Sequence, residues 1–171
     1  MALFVNKHQG KGKDDEFYTF KETWESIQQY IPKDKVVWEA FSNNAEFEGQ
    51  QYLKSICKDV ITGTGDFFKC DVPICDCVIS NPPFSIKKEV LERLKQLDKP
   101  FILILPTLAL QTKYMKKLFG DTGDLQVIMP TNKIFFYKFN EDGTKKKYDK
   151  LSYYCCFVCY KMNLPNDFIL V

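Results

Sequence analysis

Apolar positions along the chain follow two periods, and the switches between them mark the elements. Trp24, Ile27 and Ile31 recur at three to four residues, which predicts a short helix over Lys21 to Tyr30, ended by Pro32. Val36 to Phe41 reads as a buried strand running into the polar cluster Ser42-Asn43-Asn44. A helix from about Glu46 to Ile56, a short strand from Asp59 to Thr62, the turn Gly63-Thr64-Gly65 and then Asp66-Phe67-Phe68 follow. Cys75 to Ser80 is a second strongly apolar strand, stopped by Asn81-Pro82-Pro83-Phe84. Lys87 to Leu97 places Val90, Leu91, Leu94 and Leu97 on one helical face and Lys87, Lys88, Glu92 and Lys95 on the other. Phe101 to Leu105 is a continuous apolar strand closed by Pro106.

A helix around Thr112 to Leu118, a strand from Gln126 to Met129 and two aromatic strands, Ile134 to Phe139 and Tyr153 to Tyr160, complete the pattern. The polar loop Asn140 to Lys150 between the last two predicts a long antiparallel hairpin at the sheet's edge. Nearly all-apolar strands alternating with amphipathic helices imply an α/β fold, a mostly parallel sheet covered on both faces. Residues 1–15 are polar and patternless, which predicts a flexible N-terminal arm; residues 16–171 then form a single domain, with no repeat or linker inside it.

Composition narrows this picture. A chain of 171 residues buries roughly 70% of the surface it exposes when unfolded, so a full core needs no staple. No apolar run of about 18 residues exists and the N-terminus lacks a signal-peptide core, which predicts a soluble, intracellular protein with no membrane partner. The 24 basic and 22 acidic side chains nearly cancel, so any basic footprint must be local; Arg93 is the only arginine. The seven cysteines lie in apolar contexts and read as reduced, packed thiols. Cys156 and Cys159 have the spacing of a zinc half-site, but no second pair joins them and His8 is the only histidine, so no metal is expected.

The candidate chemistry sits in Asn81-Pro82-Pro83-Phe84, at the carboxyl end of a predicted central strand, where open α/β sheets bind ligands. Neither proline has an N–H, so the segment leaves the sheet as a stiff ledge of carbonyls. The Asn81 side-chain oxygen and the Pro82 carbonyl can accept from one NH2 group while the Phe84 ring stacks on the heterocycle carrying it. That suits alkylation of an exocyclic amine, because two acceptors on its hydrogens stabilise the charge that develops as its nitrogen attacks. The same tetrapeptide also reads as an ordinary strand-terminating turn.

Val78-Ile79-Ser80-Asn81-Pro82-Pro83-Phe84 resembles motif IV of the amino-group methyltransferases, which use S-adenosylmethionine to methylate N6 of adenine, N4 of cytosine or the amide of glutamine. With Asp66-Phe67-Phe68 and Pro100 to Pro106, the order of motifs is similar to the small N6-adenine-type enzymes of phages and large DNA viruses, from Phe17 to Tyr160. The resemblance implies a Rossmann-like methyltransferase fold and S-adenosylmethionine as cofactor. It assigns Asn81, Pro82, Pro83 and Phe84 to catalysis, and Tyr18, Thr19, Glu39, Phe41, Asn43, Asp66 and Phe67 to cofactor binding. Phe17-Tyr18-Thr19 stands where the family has Phe-Tyr-Thr-Pro, with Phe20 in place of proline.

Two departures bear on the cofactor. The family's glycine loop is replaced by Ser42-Asn43-Asn44-Ala45, in which Asn43 can adopt the left-handed conformation at modest cost. Thr62, Gly63 and Thr64 stand where an acidic residue holds the ribose, and threonine makes one such bond without a charge. Outside the resemblance, Glu39 also reads as a strand-end acid meeting a helix N-terminus and Asp66 as an N-cap or turn residue.

Lys87, Lys88, Lys113, Lys116, Lys117 and Lys145 to Lys147 with Lys150 either contact a phosphate backbone or are simply solvated. The resemblance implies a nucleic-acid substrate, DNA first and RNA or a protein glutamine as alternatives, and a duplex base must be flipped out before Asn81 can reach it. Against that resemblance the chain has no room for a target-recognition domain, so the expectation is a short or loose recognition sequence, a single-stranded or RNA substrate, or recognition supplied by a second copy or a partner subunit. A non-catalytic relative that binds nucleic acid or a protein partner is the alternative the altered loop allows.

Overall fold

The computed structural model describes residues 17–42, 47–140, 142–148 and 154–171; the predicted arm, Asn43 to Ala45, Lys150 and Tyr153 lie outside them. In chain order the elements are β1 (Tyr18–Thr19), α1 (Lys21–Glu25), β2 (Val36–Trp38), α2 (Glu48–Ile56), β3 (Asp59–Ile61), β4 (Cys77–Ser80), α3 (Lys87–Gln96), β5 (Phe101–Pro106), α4 (Lys113–Phe119), β6 (Leu125–Met129), β7 (Phe136–Phe139), β8 (Lys145–Tyr148), β9 (Cys155–Tyr160) and β10 (Phe168–Leu170). Short 3-10 turns at Gln28–Tyr30, Phe84–Ile86 and Thr107–Gln111 join them. The first replaces the second half of the helix predicted over Lys21 to Tyr30.

Seven strands form one sheet in the order β10-β6-β9-β5-β4-β2-β3, parallel except for β9, which runs antiparallel to both β5 and β6. Strand alternation sorts the apolar residues onto two faces. Val37, Ile79, Ile102, Ile104 and Phe157 pack under Trp24 and Ile27 of the α1 segment and Leu53 of α2. Trp38, Val78, Phe101, Leu103 and Val158 pack under Val90, Leu91 and Leu94 of α3 and Met115 and Phe119 of α4. The covered, mostly parallel α/β sheet expected from the sequence is therefore present, and no helix among the described residues is long and apolar enough to cross a membrane.

An antiparallel hairpin is present too, but its partners differ from those predicted. Phe136–Phe139 pairs with Lys145–Tyr148 and not with the 155–160 strand, and with β1 it forms a separate three-stranded sheet. All six residues of β9 are buried, and a strand apolar on both faces belongs inside a sheet, so β9 inserts between β5 and β6 instead of closing an edge. The lysine-rich β8 takes the exposed place, where charge blunts an open edge. On β9, Cys156 faces the α3/α4 layer and Cys159 the α1/α2 layer, so strand geometry separates the two thiols of the zinc-like pair. Burial raises the Cys156 thiol to about 11 and the Cys155 thiol to about 12, so both stay protonated and inert.

Gly49 in the first turn of α2 lets the helix meet β1. A Cβ there would lie 2.9 Å from the Thr19 carbonyl oxygen and 3.0 Å from Trp24 Nε1. We expect Gly49→Ala to lower stability by about 1–3 kcal/mol in urea titrations, despite the better helix propensity of alanine. A midpoint at or above wild type would show that β1 can withdraw freely.

Candidate site at the switch point of the sheet

Strands β3 and β4 lie on opposite sides of β2, so the strand order reverses direction at the β2/β4 boundary. The crevice outside the carboxyl ends at such a reversal is where ligands enter an open α/β sheet. The residues that leave β2, β3 and β4 converge on it.

Glu39, directly after β2, is only 2% exposed. Its Oε1 accepts a hydrogen bond from the fully buried Ser80 hydroxyl at the end of β4. Burial pushes the Glu39 carboxyl up to about 7, with Ser80, the Gln50 side chain and the Ser42 and Phe41 backbone pulling the other way. Its Oε2 is buried without a well-formed hydrogen bond, and so is Oε1 of Gln50, which α2 brings to the same acid. Unpartnered buried oxygens are uncommon in folded proteins, and two of them beside one carboxyl suit a ligand that brings donors.

After β3 the chain turns through Gly63 and Gly65, both left-handed with φ of 70° and 86°, and the Gly63 N–H donates to the Ser42 carbonyl at 3.0 Å. This ties together the loops that follow β2 and β3. Thr64 accepts from Trp38 Nε1 at 3.1 Å. Asp66 is a turn residue: its Oδ1 accepts from the Phe68 N–H at 2.9 Å and its Oδ2 lies 3.5 Å from Lys69 Nζ. Phe67 is fully buried between Trp38 and Phe41, with ring centroids 5.5 and 4.7 Å away, so it forms the floor beneath the crevice. Asn43 lies outside the described residues.

The ledge after β4 is built as the prolines require. Pro82 is buried, and Pro83 is extended at φ −56° and ψ 126° before the 3-10 turn that leads into α3. Asn81 is held by one end of its amide: Nδ2 donates to the Phe17 carbonyl at 3.1 Å, while Oδ1 is buried and has no partner. The tether comes from the segment that enters β1, where Tyr18 pairs with Tyr137 and the buried Thr19 with Phe136. Tyr18 itself packs 4.4 Å from the Phe47 ring.

Phe84 is placed differently from the stacking role expected of it. Its ring is 6% exposed and meets Phe136 edge-on at 5.9 Å, so stacking on a base would require it to turn away from that contact. What remains of its surface lines a groove of about 490 Å³ with Ser85, Lys87, Pro106, Leu108 and Thr112. Lys87 Nζ donates to the Phe84 carbonyl at 2.9 Å, so this lysine braces the ledge. Lys88 pairs with Glu92 along α3 at 3.8 Å.

The structure thus brings together Glu39, Asn81, Pro82 and the Phe17 to Thr19 segment, and places Asp66 and Phe67 in the adjoining turn. Sequence reasoning does not identify Ser80, Gln50 or the Phe17 carbonyl as site groups. Their partners depend on which strands become neighbours, and no local pattern reports that.

No protein-family model and no curated protein sequence matches the chain. Among solved structures it is similar to precorrin-6y C5,15-methyltransferase from Geobacter metallireducens GS-15, with TM-score 0.45 and 15% identity over 86% of this chain and 95% of that one. It is also similar to the 23S rRNA methyltransferase ErmE, with TM-score 0.46 and 11% identity over 85% of this chain and 70% of that one. Likenesses this distant carry nothing about chemistry, which rests on the site itself.

Proposed function

We propose that this chain transfers a methyl group from S-adenosylmethionine to an exocyclic amine, N6 of adenine in DNA. The observation that supports it most is the divided amide of Asn81. An asparagine whose Nδ2 is anchored and whose Oδ1 is buried and unpartnered has its donor committed and an acceptor left over. That polarity suits an incoming NH2 group and disfavours a carbonyl.

When bound, S-adenosylmethionine would supply an electrophilic methyl group, its sulfur keeping the S–C bonding pair as a neutral thioether. The chain's own residues hold the acceptor. Asn81 Oδ1 and the Pro82 carbonyl accept hydrogen bonds from the two amine hydrogens, localise the nitrogen lone pair and stabilise the positive charge that grows on it. The proton then leaves to water, and no covalent enzyme intermediate is needed. Catalysis by positioning and charge stabilisation matches a site with no reactive thiol among its described residues.

The residues present fit the cofactor best at its amino-acid end. Glu39 and Gln50 offer an ammonium buried oxygens that lack a well-formed hydrogen bond, and Gly63 and Gly65 keep the neighbouring turn open to a close backbone approach. At the nucleoside end, the Thr64 hydroxyl and the Asp66 carboxylate already serve Trp38 and the Phe68 turn, so they offer only their remaining lone pairs.

The deciding experiment measures labelled methyl transfer from S-adenosylmethionine to DNA duplex, single-stranded DNA, RNA and protein in parallel. Label in adenine of DNA is the expected result; label in RNA adenine or in glutamine reassigns the substrate, and no label in any of them removes the catalytic reading. A second reading, a nucleic-acid-binding or partner subunit that has lost the cofactor, is favoured by the burial of Phe84 against Phe136. Its signature is an unchanged melting temperature at millimolar S-adenosylmethionine.

A further inference from the structure

The three-stranded sheet gathers lysines on its outer hairpin. Register in the β7–β8 hairpin sets Lys138 directly opposite Lys146, Tyr137 opposite Lys147 and Phe139 opposite Lys145. Lys138 and Lys146 therefore share a face with Phe136 and Tyr148, while Lys145 and Lys147 share the other with Tyr137 and Phe139. Lys145 forms an ion pair with Glu48. Lys146 and Lys147 are exposed, and Asp142, the described acid in the hairpin turn, is occupied by Thr144.

Aromatic rings lie among these cations. Lys138 Nζ sits 4.3 Å from the Phe17 ring centroid and 5.1 Å from that of Tyr148, and Lys147 Nζ 3.6 Å from that of Phe135. Phe139 is 43% exposed. The strip also adjoins the candidate site through one residue: Phe17, whose ring packs 5.0 Å from Tyr148, gives its carbonyl to Asn81.

We infer that the β7–β8 hairpin is the strand-binding element of this protein and that its partner is a single-stranded polynucleotide, running past the open edge of β8, which presents Lys146 on one face and Lys147 on the other, with its bases turned towards Asn81. Charge complementarity identifies a polyanion, and interleaved rings identify one with unstacked bases, because an aromatic face accepts any base that has left a duplex. A four-residue hairpin spans about 13 Å, enough to track a few nucleotides and too short to follow a duplex groove with recognition at both ends. An amine bound for the buried Asn81 Oδ1 must in any case be out of its pair. The inference rests on the methyl-transfer reading for where the base goes, while strand binding is measurable without transfer.

The test is fluorescence anisotropy with a short labelled adenine-containing single strand, as DNA and as RNA, and with the corresponding duplex, across a salt series. Relative to wild type, Lys146→Glu/Lys147→Glu should bind the single strand about 10-fold or more weakly, with the log–log salt slope smaller by about 1.4, the value for two phosphate contacts on a single strand. Lys146→Gln/Lys147→Gln should show the same slope change with a smaller loss, which separates charge from misfolding. Lys116→Glu/Lys117→Glu on α4 should bind as wild type does. Unchanged affinity and slope in the hairpin variants, an equal loss in the α4 variant, preference for duplex, or no strand binding by wild type each overturns the inference. Hairpin-dependent binding by a wild type that transfers no methyl removes only the methyl-transfer reading; transfer with hairpin-independent binding removes only the hairpin assignment.

Discussion

Asn81→Ala is expected to reduce methyl transfer by roughly 100- to 1,000-fold, the loss typical when one preorganised polar contact to a developing charge is deleted. Binding of S-adenosylmethionine should survive, because the side chain's contact in the protein is the Phe17 carbonyl and not the Glu39 cluster. Asn81→Asp separates the two halves of the amide. It keeps an oxygen acceptor but removes the Nδ2 donor, so a carboxylate oxygen would face the Phe17 carbonyl oxygen and the tether would become repulsive. Single-turnover transfer read beside cofactor titration distinguishes these effects. Near-wild-type transfer by Asn81→Ala would remove Asn81 from the mechanism.

Glu39 carries the second large effect, and it appears in stability. The carboxyl ionises at about 7 in the folded chain, against 4.5 for an ordinary glutamate, because burial disfavours its charge. Between those two values the folded state holds a proton that the unfolded state has released, so stability falls as pH rises through this window and levels off above it. The full drop is on the order of 3 kcal/mol. Glu39→Gln keeps the shape and remains neutral, so it should abolish that slope and be more stable than wild type at pH 8. Urea titrations between pH 5 and pH 8 measure the difference, and parallel profiles for the two proteins would disprove it. The same variant should weaken S-adenosylmethionine binding, since an amide cannot offer an ammonium a charge. A protein more stable without an acid it keeps buried is what a site built for a cationic ligand would show.

Much of the fold was legible in the residues. The alternation of Cys77, Val78, Ile79 and Ser80, and of Phe101 through Leu105, placed β4 and β5 on both layers of the core, and Val90, Leu91 and Leu94 gave α3 its buried face. Lys145 to Tyr148 carries no strand signal in the sequence, because three consecutive lysines have no period; these residues become a strand only because the aromatic β7 is there to pair with. The three-residue β10 escaped for a similar reason, with Ile169 its one buried side chain.

By itself the sequence determined the core residues of β4, β5 and α3 and that Asn81-Pro82-Pro83-Phe84 follows a central strand, because periodicity and proline stereochemistry act over a few residues. The tertiary structure alone decided that β9 lies inside the sheet, that Glu39 meets Ser80 across 41 positions and that Phe17 holds Asn81 across 64. Those contacts follow from the order in which strands become neighbours, a choice made by the burial of whole faces at once. The dry carboxyl and the divided amide are products of that choice.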